Sequence, residues 1–374
     1  MPIKKLFYLI VFTILIWSKF ASAQFPIAES PEEMRAFLNA MPKAELHLHI
    51  EGTMPPATLV KLANRNGFDF FNTIEEVTES LATRPPGLDG FLSHHNKTVT
   101  VIQTKEDFYT ITYDFLKAAK ENNIVYVEFM FDPQIHTSRG ISFRDVITGL
   151  DEGRKAAERD FGVKANMILA FNRERSVASA MEALDQAKPY KELITGIGLD
   201  SGPEEGNPPA KFKDVYARAK KEGYFLTAHN DVDEKDSVEH IWQALDILKV
   251  DRLDHSINSI EDMELVREIN KRGICLTTSP VQRRRDPIPQ DVERIKFMFY
   301  HGMCVSLNTD DPGEFETGYL NEMLFRFQQA GGFSKRDMVR FMRHAFASAW
   351  LSDEEKNAYI EALKAWAAPN GVRL

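Results

Sequence analysis

His47-Leu48-His49 is the first group in the chain that could do chemistry. On an extended strand, residues i and i+2 face the same way, so the two imidazoles are presented together. Two neutral imidazoles make half of a metal site, although a His-x-His pair on its own is equally a pair of partly exposed histidines. His229 and Asp310 complete a nitrogen-rich, singly anionic set. Such a set suits zinc, one ion per chain, and leaves a position open for water. A metal lowers the pKa of that water towards neutrality and so supplies a hydrolytic nucleophile. His255 is placed to hydrogen-bond the nucleophile; its plainer role is that of a core histidine capping a strand. Asp311 follows Asp310 directly, so their side chains diverge, and the second either faces a substrate or caps a helix ahead of Pro312.

These residues need a frame that brings distant segments together. Eight short apolar runs read as strands: 45–50, 124–131, 165–171, 195–200, 224–229, 252–255, 274–278 and 304–310. Amphipathic helical patterns separate them, among them 211–222, 237–248, 259–272 and 289–301. Strand–helix alternation implies a parallel sheet, and eight units imply an α/β fold of the (β/α)₈ barrel type. Five strands end in a ligand-type or ionisable residue: His47-Leu48-His49-Ile50-Glu51, Asp200, His229, Asp254-His255 and Asp310-Asp311. That end of a barrel is where active sites are assembled. The stretch 55–123 is longer than one crossover needs and predicts inserted helices over the mouth. The tail 315–366 predicts further helices.

The first 23 residues read as an address label. Lys4 and Lys5 precede an apolar run, Leu6 to Trp17, and Ala21-Ser22-Ala23 supplies a small-residue cleavage site. This is the order of a secretory signal peptide, with an uncleaved anchor as the other reading. The expectation is an exported, periplasmic or extracellular protein with one barrel domain over 24–374. The leader holds Lys4, Lys5 and Lys19 and no acid, which takes 46 basic residues to 43 against 55 acidic, a formal charge of −12. That surface argues against nucleic acid or an anionic membrane as the main partner. Cys275 and Cys304 sit in strand-like runs and read either as a pair or as buried thiols.

Met41-Pro42-Lys43-Ala44-Glu45-Leu46-His47-Leu48-His49-Ile50-Glu51-Gly52-Thr53 and Ser306-Leu307-Asn308-Thr309-Asp310-Asp311-Pro312 resemble the opening and closing motifs of adenosine and adenine deaminases. The segments 127–134, 198–201 and 252–255 fall between them in the family's order, so the resemblance spans about 42–350. It implies His47, His49, His229 and Asp310 as zinc ligands, and His255 as the residue orienting the nucleophile. It implies Asp311 as the hydrogen-bond partner of purine N7, with His49, Glu51 and Asp200 also on the substrate side. The implied reaction is hydrolytic loss of the 6-amino group of a purine, the substrate being a small molecule.

The sequence departs from the family at one joint. The family's third metal histidine is followed by Ala-Gly-Glu, whose Glu protonates purine N1; here the run is His229-Asn230-Asp231-Val232-Asp233-Glu234. Asp233, then Asp231, are the candidates to supply that proton, the alternative being a solvated acidic loop. Glu51 in place of the Asp of adenosine deaminases, with 132–134 and 200–201, looks more like the adenine branch. Arg283-Arg284-Arg285 reads as a surface patch or as a site for an anionic substituent. The altered joint leaves open another amide or modified purine substrate, or a silent binding protein.

Overall fold

The structure is a computed structural model that describes residues 30–231, 235–281, 287–316 and 318–373. The leader-like segment 1–23, Asp233 and the Arg283-Arg284-Arg285 run lie outside the described residues.

Runs such as Ile124–Phe131 (IVYVEFMF) are apolar on both faces. Such a strand is stable only where helices cover one side of the sheet and the barrel interior fills the other. The strands are β1 (Lys43–Glu45), β2 (Ile124–Phe131), β3 (Lys164–Asn172), β4 (Ile194–Asp200), β5 (Phe225–Leu226), β6 (His229–Asn230), β7 (Arg252–His255), β8 (Cys275–Thr278) and β9 (Cys304–Leu307). All pair in parallel and in sequence order, β1 to β5 in one ladder and β6 to β9 in the other. β5 and β6 are two parts of one stave interrupted at Thr227-Ala228. The Thr227 N–H still donates to Ile197 O (2.9 Å), and Ala228 O accepts from Asp254 N (3.1 Å).

The barrel closes between its last and first strands. Asn308 Oδ1 accepts from Leu46 N (2.8 Å). Asp310 O accepts from His49 N (3.1 Å), and Asp310 N donates to His47 O (3.3 Å). Residues 46–49 are thus held between β9 and, through the His49–Met130 bridge, β2. The closing motif and the opening motif are neighbours, which is why both carry site residues.

The expected insertion after the first strand is present as helices Pro56–Arg65, Ile74–Thr83 and Gly87–Thr98, ahead of the crossover helix Lys105–Glu121. Helices Tyr319–Gly331, Lys335–Ser348 and Asp353–Ala367 form the tail. Among the described residues no helix is long and apolar enough to cross a membrane. Cys275 and Cys304, opposite each other at the starts of β8 and β9, form a disulfide, which decides between the two readings of these residues.

Candidate metal centre and active site

The run 46–49 is extended, so His47 and His49 project to one side as their spacing predicts, and both are buried. His229 starts β6 and Asp310 follows β9, both at the same end of the barrel. One ligand atom from each of His47, His49, His229 and Asp310 lies within 4.8 Å of all the others. His49 Nε2 is 3.1 Å from His229 Nε2. Asp310 Oδ1 is 3.3 Å from His47 Nε2 and 3.5 Å from His49 Nε2.

The opposite ring nitrogens are backed by carboxylates. Asp254 presents Oδ1 to His47 Nδ1 and Oδ2 to His229 Nδ1, both at 3.5 Å, and Asp200 Oδ2 lies 3.4 Å from His49 Nδ1. Thr277 Oγ1 lies 3.0 Å from His47 Nδ1 and donates to Asp254 Oδ1 at 2.7 Å. Carboxylates behind ligating imidazoles fix the tautomer and leave Nε2 free to ligate. His47 Nε2 is buried without a hydrogen-bond partner, and a divalent cation would satisfy it. The donor set therefore fits a metal.

Electrostatics agree with this use. Burial, reinforced by neighbouring imidazoles, holds His229 well below its ordinary pKa; burial likewise lowers His49 and His255. All three favour the neutral, ligand-ready form. His47 is the exception: burial opposes its charge, but Asp310 and Asp254 outweigh burial and raise it to about 10. Those two carboxyls stay ionised despite burial because His47 faces both. A proton and a metal ion thus compete for the same nitrogen of His47.

His255 stands beside the four ligands, with Nε2 3.7 Å from Asp310 Oδ2. The Asp311 side chain diverges from Asp310 and packs on Gly52, where a Cβ would overlap its carboxyl group. That contact explains the glycine of the opening motif. Burial and then Asp310 push Asp311 well above the ordinary carboxylate range. Asp231 accepts from Asn258 N (2.9 Å) and from the Ser237 side chain, and burial raises it to about 7. Ser201, Asp231, His255, Ser256 and Asp310 all have positive φ, between 52° and 68°. Left-handed non-glycine backbone at the ends of β4, β6, β7 and β9 is strain of the kind concentrated at functional sites.

These groups open on a cavity of about 630 Å³ whose wall includes His49, Asp200, His229, Asp231, His255, Asp310 and Asp311. Glu51 is not on that wall. Its Oε1 faces His136 Nε2 (3.0 Å) and accepts from Asp132 N (3.1 Å), so it holds the loop after β2. Sequence reasoning missed Arg173, fully buried, whose Nη2 donates to His229 O (2.5 Å) and whose Nε donates to Asp200 O (3.3 Å). It also missed the buried pair His95 and Glu314, 3.0 Å apart. Neither has a periodic signature. The use of Asp254 did have a signal, since it is an acid inside a strand that ends in His255.

A closed parallel barrel with four convergent metal-type ligands at the C-terminal ends of its strands defines a metal-assisted hydrolase of the barrel class. The sequence model of the family described as adenosine deaminase matches residues 42–366. The chain belongs to the adenosine deaminase family. It is 39% identical over 332 residues to an adenine deaminase of Crocosphaera subtropica, covering 88% of this chain and 100% of the relative. The crystal structure of an adenine deaminase from Arthrobacter aurescens superposes with a TM-score of 0.80 at 33% identity, covering 88% of this chain and 100% of that one. A zinc-bound amidohydrolase from Burkhoderia ambifaria, as its structure is described, gives a TM-score of 0.81 at 28% identity, covering 93% and 95%.

Proposed function

We propose that this chain removes the 6-amino group of adenine or adenosine by hydrolysis, as a zinc enzyme with one ion per chain. The observation that carries the reading is the convergence of His47, His49, His229 and Asp310, the last three on the cavity wall that also carries His255, Asp311 and Asp231. A zinc ion held by those four residues supplies a hydrolytic nucleophile at neutral pH. The relatives named as adenine deaminases support a purine substrate.

The chain's own residues do the rest. His255, kept neutral by burial, can take a proton from the attacking water. Asp311, favoured in its neutral form, can donate to the N7 acceptor of a purine and set the ring's orientation. Asp231, the one described candidate for the N1 proton donor, sits on the cavity wall and is partly protonated near neutral pH. The C6–N bond breaks, a C6–O bond forms, and ammonia leaves.

We also propose that the protein works outside the cytoplasm. The leader-like first 23 residues support this, as does the Cys275–Cys304 pair, since disulfides persist in oxidising compartments.

The test is an ultraviolet absorbance assay of the zinc-loaded protein with adenine, adenosine, deoxyadenosine and adenine nucleotides, with ammonia measured in parallel. Turnover of adenine or adenosine that is lost on chelation and restored by zinc is expected. Silence on every aminopurine, with metal bound, overturns the reading.

A further inference from the structure

Val232 stands where the family has its glutamate, and Asp231 has a shorter side chain than the residue it would replace. A short acid can do that work only if its carboxyl group is held in one place. Asp231 has left-handed backbone (φ 68°), and its Oδ2 accepts from the backbone N–H of Asn258 at 2.9 Å. The Ser237 hydroxyl is a second donor to the same carboxyl group. Oδ1 is buried without a hydrogen-bond partner, and Asp231 forms part of the cavity wall. One oxygen is engaged by the protein and the other is left for a substrate.

The direction of these bonds is fixed from further out. A guanidinium only donates, so Arg294 Nη1, on helix Pro289–Tyr300, makes Asn258 Oδ1 the acceptor of that pair. The other end of the amide, Nδ2, then faces Ser237 Oγ and donates to it at 3.1 Å. Ser237 accepts from Asn258, so its single proton is directed at Asp231. Asn258 and Ser237 are both buried, which keeps bulk water from competing for these groups. The helix after β8, the turn Ile257–Glu261 after β7 and the first residue of helix Ser237–Gln243 each supply one member.

We propose that Arg294, Asn258 and Ser237 are positioning residues, an ordered hydrogen-bond chain that fixes Asp231 as the N1 proton donor and compensates for the altered joint. The proposal rests on the deaminase reading and on Asp231 as its donor. In that step the O–H bond of Asp231 breaks, the proton goes to purine N1, and the bonding pair stays on the carboxylate. Two donors already point at the group where that charge appears, so they stabilise the transition state more than the ground state.

The test uses the zinc-loaded protein and whichever of adenine and adenosine it turns over. Ser237→Ala removes one donor and should lower kcat by about tenfold, with KM and zinc content little changed. Asn258→Asp offers Ser237 acceptor oxygens and no donor, which turns the hydroxyl away from Asp231, while an ion pair to Arg294 replaces the amide contact. Its kcat should fall by a similar factor although its thermal transition is not lowered, a split that a merely structural role would not produce. Added to Asp231→Asn, Ser237→Ala should change kcat by less than about twofold, because residues that act through one group are not additive. Circular dichroism serves to verify that each variant is folded. An unchanged kcat in both single variants overturns the proposal. An equal tenfold loss in the Asp231→Asn background overturns it too, because Ser237 would then act by packing. Full activity of Asp231→Asn places the donor elsewhere, which overturns the proposal and leaves the deaminase reading standing. Failure of every aminopurine removes both.

Discussion

Asp254 is absent from the cavity wall, yet its two oxygens face the Nδ1 atoms of two metal-type ligands, His47 and His229. Removing a carboxylate behind a ligating imidazole typically costs 10–100-fold in metal affinity. Asp254→Asn should therefore weaken zinc binding by about that factor, read by competition with a chromogenic chelator; an unchanged affinity would show that the imidazoles are oriented by other groups. Asp231 bears on the chemical step instead. Asp231→Asn should lower kcat by about 10²–10⁴-fold with KM little changed, and Asp233→Asn should not. The reverse pattern would transfer the donor role to Asp233. The ligands themselves were legible because each falls at the end of an apolar run, where a barrel collects its functional groups. Arg173 was not, because nothing in the order Asn172-Arg173-Glu174 announces that the guanidinium folds inward to hold the carbonyl of His229.

At the scale of elements, the inserted helix Gly87–Thr98 is fastened to the loop that carries Asp310 and Asp311. His95 and Thr98 both direct hydrogen bonds to Glu314, and His94 lies 3.6 Å from it. Burial disfavours a charged His95, but Glu314, then Asp311 and Asp132, outweigh burial and raise its pKa from 6.5 to about 10. A folded pKa above the unfolded one means stability that is fully present below pH 6.5 and is lost as pH climbs towards 10. Glu314 is shifted the other way, below its ordinary 4.5, so its contribution is present above that value. His95→Gln should therefore cost about 3 kcal/mol near pH 6, the effect of stranding one partner of a buried pair. The deficit should narrow as pH rises past 9 in thermal unfolding at constant metal. A deficit independent of pH would mean that His95 acts by packing alone. Regular elements were the most legible part of the chain: the runs 124–131 and 252–255 are β2 and β7 as read. Failures came where local polar geometry cuts a pattern. The helical run 259–272 is divided because Asp262 caps a helix by accepting from Glu264 N (2.8 Å), and the run 224–229 is divided at Thr227-Ala228.

Over the whole molecule, closure into a barrel depends on contacts between residues far apart in sequence, such as Glu45 with Thr309 and Leu46 with Asn308. No local pattern could display those; only the count of eight strand–helix units implied them. The disulfide belongs to this scale because it ties two adjacent staves, β8 and β9, across 29 residues of sequence. Cross-linking a loop of that length restricts the unfolded chain and contributes about 3–4 kcal/mol in the chain-entropy account. Cys275 and Cys304 lie at the starts of their strands, whereas Thr277 serves the site from further along β8 and Asp310 from beyond the end of β9. The double substitution Cys275→Ser with Cys304→Ser should therefore lower unfolding free energy by about 3 kcal/mol and leave kcat at 25 °C unchanged. A reductant should shift the thermal transition of the native chain by the same amount and leave the double variant where it is. If native and variant proteins unfold alike with and without reductant, the bond contributes nothing to folding. The proposal of an oxidising compartment then rests on the leader-like segment alone.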